Sequence, residues 1–163
     1  MPVGAFCAFL GFWRLVRYFT LFLGHATTMN GMPFILRFLD FGGQEIMHSM
    51  HRCFLTAHTV YVIVCESRDD PEIDGVAARW LETVKAFAPD CPVILALNKC
   101  DLNPNVSVNE RDLWERNPRL KCVLKTSAAV KPGETFGVNS LLAEIMAEVP
   151  IAIQKMIDNE RGW

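Results

Sequence analysis

Apolar positions along this chain change their period several times, and each change marks an element. Phe34–Leu39 is a short apolar run entered through Asn30-Gly31, a pair that tolerates positive φ and suits a tight hairpin turn. Thr59–Cys65 (Thr-Val-Tyr-Val-Ile-Val-Cys) is β-branched and aromatic without a polar break, as a strand covered on both faces should be. Ile73, Val76, Trp80, Val84 and Phe87 instead recur at helical spacing and predict an amphipathic helix. Pro92 introduces a third strand at Val93–Leu97. Ser107-Val-Asn-Glu110 has capping-box spacing and predicts a short polar helix ending near Pro118. Cys122–Leu124 is a fourth strand, and Leu141, Leu142, Ile145, Met146 and Val149 make a final helix.

Strands alternating with helices of this length imply an α/β fold, a parallel sheet wrapped by helices on both faces. In such sheets ligands sit beyond the carboxyl ends of the strands, so the residues following each strand are where chemistry belongs. After the first strand comes Asp40-Phe41-Gly42-Gly43-Gln44-Glu45. After the third comes Asn98-Lys99-Cys100-Asp101, and after the fourth Thr126-Ser127-Ala128.

The stretch Pro2–Leu23 breaks the alternation. It is almost continuously apolar, with Arg14 and Arg17 inside the run rather than before it, which does not suit a secretory signal. As a membrane span it is poor: each central arginine costs about 2.5–3.5 kcal/mol, while a strong hydrophobe returns only about 0.3–0.6 kcal/mol. A helix in the membrane interface and a buried core segment remain as alternatives, with membrane contact through residues 1–24 as one expectation.

Composition narrows the class. The chain has 163 residues, 51% hydrophobic and 21% charged, enough for one domain with a real core and too apolar for disorder. A net charge of −2 excludes a strongly basic nucleic-acid binder. Charge placement is more informative: residues 1–39 hold three arginines and no acid, and the first lysine of the chain is Lys85. The 6 cysteines are scattered without a C-x-x-C pair, several within apolar runs, so they read as small hydrophobes in a reducing compartment.

The three strand-end stretches, in this order, resemble the switch, base-recognition and closing motifs of Ras-like small GTPases. Asp-Phe-Gly-Gly-Gln-Glu, followed by His48 and then Phe54-Leu55-Thr56, resembles more specifically the Roc (Ras of complex proteins) subfamily. The resemblance runs from about Asn30 to Val149. It implies a P-loop-NTPase/Ras-like parallel sheet sandwiched by helices, incomplete at the N-terminus. On that reading 25–150 is the domain and 151–163 begins a linker to a C-terminal COR dimerisation domain. GTP or GDP with Mg²⁺ would be the ligands of a cytoplasmic signalling module, with protein partners or a homodimer of Roc/COR type.

The resemblance also implies roles. Asp40 would hold a water on Mg²⁺, the Gly43 amide would approach a γ-phosphate, and Gln44 would orient the attacking water. Asn98 would brace the loop and the base, the Lys99 stem would pack across the base, and the Ser127–Ala128 backbone would meet the guanine oxygen. Asp101 would accept hydrogen bonds from the N1–H and exocyclic amine of guanine, a pair that adenine cannot supply. The bland alternatives are a plain strand–turn at Asp40–Gly43 and a solvated loop at Asn98–Asp101. His48, His51, Cys53 and His58 admit a zinc reading but suit ordinary polar positions of a switch helix better. Asp40-Phe41-Gly42 also spells a kinase signature, without the catalytic loop a kinase needs.

One part of the pattern is missing. A P-loop needs G-x-x-x-x-G-K-[ST], and no lysine precedes Lys85. Counting back from Asp40, that loop is expected before Met1, with 1–24 standing where the first helix and first switch belong. The central strand preceding a P-loop would then be absent. Val3–Leu10 is a poor substitute if the chain must afterwards make a parallel crossover, which needs a dozen or more residues. Thr20, Thr27 and Thr28 are the threonines available for the Mg²⁺-binding switch position. Two readings follow: a Roc-type guanine-nucleotide-binding module that is weak or inactive as it stands, or a pseudo-GTPase serving as an interaction or membrane-associated scaffold.

Overall fold

The computed structural model describes residues 3–11, 22–29, 32–42, 59–67, 72–127 and 136–160. Six strands form one sheet: β1 (Val3–Gly11), β2 (Phe22–Met29), β3 (Met32–Gly42), β4 (Thr59–Glu66), β5 (Val93–Asn98) and β6 (Leu120–Lys125). Their spatial order is β2-β3-β1-β4-β5-β6. All neighbours run parallel except β2 and β3, which pair antiparallel with Met29 opposite Met32, leaving only residues 30 and 31 between them. A two-residue connection at Asn30-Gly31 is what that dipeptide favours.

The first apolar segment has a definite place. Val3–Gly11 lies between β3 and β4, paired from Val3 opposite Phe34 to Gly11 opposite Gly42 and from Phe6 opposite Thr59 to Gly11 opposite Val64. It is a central strand, not an interfacial helix, which explains an apolar run without acidic residues. The crossover objection fails for a topological reason. β2 runs opposite to β1, so β2 begins at the sheet edge where β1 ends, one intervening strand away, about 10 Å at two strand spacings.

Three helices cover the described part of the sheet: α1 (Ile73–Phe87), α2 (Glu110–Arg116) and α3 (Val138–Glu160). Alternation along each strand divides the core in two. Tyr61, Ile63 and Cys65 of β4, with Val93, Leu95 and Leu97 of β5, face α1 and α2 and pack on Ala77, Trp80, Leu81, Val84 and Leu113. Val60 and Val62, with Ile94 and Ala96, face the other way onto Ile145 and Val149 of α3. Each large aliphatic side chain sealed here contributes about 1.5–3 kcal/mol. Trp80 belongs to the core, while Trp114 is half-exposed and donates its indole N–H to the Leu120 carbonyl at 2.9 Å.

One local expectation is corrected. α2 begins at Glu110 with Asn109 as its cap, the Asn109 side chain accepting from the Asp112 amide at 3.3 Å, so Ser107 is not the capping residue. The Asn109 amide is itself held by Asp74 at the start of α1, at 2.8 Å, which selects this cap. The last helix continues through Pro150 to Glu160. Proline there has no N–H to return to the preceding turn, and the helix gives up one bond rather than ending.

Cysteines 65, 91 and 100 are buried and outside any disulfide, as expected of small hydrophobes. Cys122 of β6 is half-buried beside α3, where burial, and then the charges of Glu144 and Glu148, push its thiol up from 9.0 to about 11. The unfolded chain therefore releases this proton at lower pH than the folded one, and the stabilisation is complete below pH 9 and lost as pH rises to about 11. Urea midpoints measured across that window should fall more for the wild type than for Cys122→Ala.

Candidate functional site

Because β3, β1, β4, β5 and β6 are parallel, their carboxyl ends gather along one edge. Glu66, the last residue of β4, stands opposite Asn98, the last of β5. Just beyond them Ser67 donates its backbone N–H to the Asn98 carbonyl at 2.9 Å and its hydroxyl to the same oxygen. Asn103 closes the loop by donating its side-chain amide to the Ser67 carbonyl at 2.9 Å. Ser67 is almost fully buried, so these bonds form away from competing water.

The loop that follows is held in an uncommon shape. Lys99 has φ +62°, the left-handed region that a side chain normally avoids, at a cost of order 1–3 kcal/mol. Its carbonyl accepts from the Leu102 amide at 3.0 Å, and its ammonium meets a Glu66 carboxylate oxygen at 2.7 Å. Next to it the Cys100 amide donates to the Thr126 carbonyl at 3.2 Å, and the Thr126 amide to the Leu97 carbonyl at 2.8 Å. Burial, and then the neighbouring Asp101 charge, raise the Cys100 thiol, which belongs to the buried core.

Asp101 projects from this turn at the exposed surface, and the fully buried Ser127 donates its hydroxyl to one carboxylate oxygen at 2.5 Å. Ser127 is fixed in turn by its amide, which donates to the Phe136 carbonyl at 2.9 Å in an isolated antiparallel bridge. Gly137, next in the chain, has φ +70°, and a Cβ there would lie 2.0 Å from the Lys125 carbonyl oxygen. A carboxylate offers about four lone-pair directions. With one oriented by Ser127, the group is set to accept two parallel N–H donors from a planar ligand.

Sequence comparison bears on what that ligand is. The family described as Ras of Complex, Roc, domain of DAPkinase matches residues 20–101, half of the chain. The chain belongs to the Roc family. It is 34% identical over 80 residues to a Dictyostelium discoideum protein named Probable serine/threonine-protein kinase roco5, covering 48% of this chain and 3% of that protein. Ras-related protein RabZ of the same organism is 24% identical over 135 residues, 81% of this chain and 56% of RabZ. Among solved structures, Methanosarcina barkeri Roco2 RocCORdC bound to GDP superposes with a TM-score of 0.74 at 25% identity, covering 91% of this chain and 50% of that one. The Roc chain thus spans about half or less of these proteins, and its sheet with flanking helices is the Ras-like α/β fold.

Of the residues singled out in the sequence, the Roc chain brings Asn98, Lys99, Asp101 and Ser127 into one cluster. Asp40 lies in β3 at the same sheet edge, three strand positions from β5, about 14 Å away laterally. Gly43, Gln44, Ala128, Thr20 and the histidine group (His48, His51, Cys53, His58) fall outside the described residues. Thr27 and Thr28 pair with Phe34 and Pro33 at the hairpin end of β3, about 23 Å along the strand from Asp40, and cannot join it at a metal. Among the described residues no three His, Cys, Asp or Glu side chains form a metal-binding group.

Glu66, Ser67, Asn103 and Gly137 were not singled out in the sequence. Glu66-Ser67 directly follows a strand, so the rule that chemistry sits after strand ends applies to it as well. Only the register shows that it faces Asn98. For Gly137→Ala, the left-handed backbone and the carbonyl clash should together cost more than about 1 kcal/mol in urea denaturation.

Proposed function

We propose that this Roc-family chain is a guanine-nucleotide recognition module in which base reading is retained and phosphate binding is weak. The observation that carries the proposal is Asp101, oriented by the buried Ser127 and presented beside the braced Asn98-Lys99 turn. Guanine offers N1–H and an exocyclic amine side by side to such a carboxylate, while adenine offers an acceptor at N1 and would leave it unpaired. Lys99 supplies a stem for the face of the base. That Roco2 RocCORdC is bound to GDP supports the same class of ligand.

The phosphate and Mg²⁺ half does not fit. The strand occupying the centre of the sheet, β1, leads into residues 12–21, Phe-Trp-Arg-Leu-Val-Arg-Tyr-Phe-Thr-Leu, which contain neither lysine nor glycine. A P-loop needs glycines whose backbone amides cradle phosphate and a lysine that meets its oxygens, and this stretch offers neither residue type. Asp40, Gly43 and Gln44 keep the residue types of the second switch. This imbalance favours signalling by protein contact, as a Roc/COR-type partner or a pseudo-GTPase scaffold, over turnover.

Titration of the chain with GDP and ADP tests the reading. GDP should shift the NMR signals of the Lys99–Leu102 and Ser127 amides in preference to ADP, and Asp101→Ala should bring the two nucleotides to parity. Calorimetry with GTP and Mg²⁺ should show weak or undetectable heat. Tight Mg²⁺-dependent binding that Asp101→Ala abolishes would overturn the assignment of a defective phosphate site.

A further inference from the structure

We propose that Glu66, the last residue of β4, is a positioning residue for the base site, holding the Lys99 ammonium so that the lysine stem lies ready for the base. The proposal rests on the reading of Asn98–Asp101 as a guanine site. Three observations carry it. The parallel register sets Glu66 opposite Asn98, so its carboxylate stands beside the first residue of the turn. The φ of +62° swings Lys99 out of the strand direction, and its Nζ meets Glu66 Oε1 at 2.7 Å. The two side chains are 26% and 28% exposed, against 46% and 58% for Arg116–Glu82 and 90% and 67% for Arg111–Glu115. Partial removal from water makes this pair less screened than those on the helices.

A lysine stem is flexible, and a ligand that had to immobilise it would lose affinity in doing so. Glu66 removes that cost before the base arrives. Methylene groups carry no hydrogen-bond information, so this contribution strengthens binding without selecting the base, whereas Asp101 selects it. The division of labour is a signature that a general loss of stability would not reproduce.

GDP and IDP, whose base lacks the exocyclic amine, are titrated by NMR into the 163-residue chain and into Glu66→Gln, Lys99→Met and the double variant. These near-isosteric changes keep the size of both side chains, and thermal melts confirm the fold. Glu66→Gln should weaken GDP and IDP by the same factor, about 3–10-fold for a lost charged hydrogen bond that is partly solvated. It should have no further effect where residue 99 is already Met. Asp101→Ala should instead narrow the GDP-to-IDP ratio. Unchanged GDP affinity in Glu66→Gln, or an equal loss in the Lys99→Met background, overturns this role while leaving the guanine site standing. A wild-type chain that does not prefer GDP to ADP overturns both.

Discussion

Parallel pairing across the middle of the sheet is the constraint on which the rest of this molecule depends. β3 and β4 are joined through β1, and without a strand between them both would present unpaired backbone groups inside a core. Val3–Gly11 meets that demand by pairing with β3 along its whole length and with β4 from Phe6 to Gly11. Because β1, β3, β4, β5 and β6 share a direction, their carboxyl ends line up. Asn98, Lys99, Asp101 and Ser127 gather along that line, and Asp40 lies on it three strand positions from β5.

At this edge stability and chemistry use the same bonds. Ser67 closes β4 onto β5 by satisfying the Asn98 carbonyl twice, and this pins the peptide leading into the left-handed Lys99. The strain at Lys99 persists because the surrounding bonds over-determine it, with Leu102 on its carbonyl and Glu66 on its ammonium. Ser127 belongs to a different strand end, yet it orients Asp101. Removing water from Ser67 and Ser127 while leaving Asp101 exposed produces a rigid support beneath an accessible carboxylate. Rigid support is what selective hydrogen bonding needs, since a carboxylate free to rotate could satisfy several donors.

Much of this was legible in the chain. The strands at Thr59–Glu66 and Val93–Asn98 are continuous apolar runs, and the helix at Ile73–Phe87 repeats at helical spacing, because burial on two faces or on one leaves those different periods. Asn98, Lys99 and Asp101 were readable because they follow a strand in a compact run. Glu66 and Ser67 were not, because their significance lies in pairing with residues more than thirty positions away. The capping residue was misread because Ser107 and Asn109 both suit the role, and a contact from Asp74 on another helix chose between them.

By itself the sequence determined the alternation of strands and helices, the residue types of the base-reading turn, and the absence of a lysine before Lys85. These are local properties, set by side-chain period and by which residues are present. Tertiary structure alone decided that Val3–Gly11 becomes the central strand rather than a membrane segment, because that depends on two neighbours offering unpaired edges on either side. It also decided that Thr27 and Thr28 lie at the wrong end of the sheet, since strand direction, not spacing in the chain, assigns a residue to an edge.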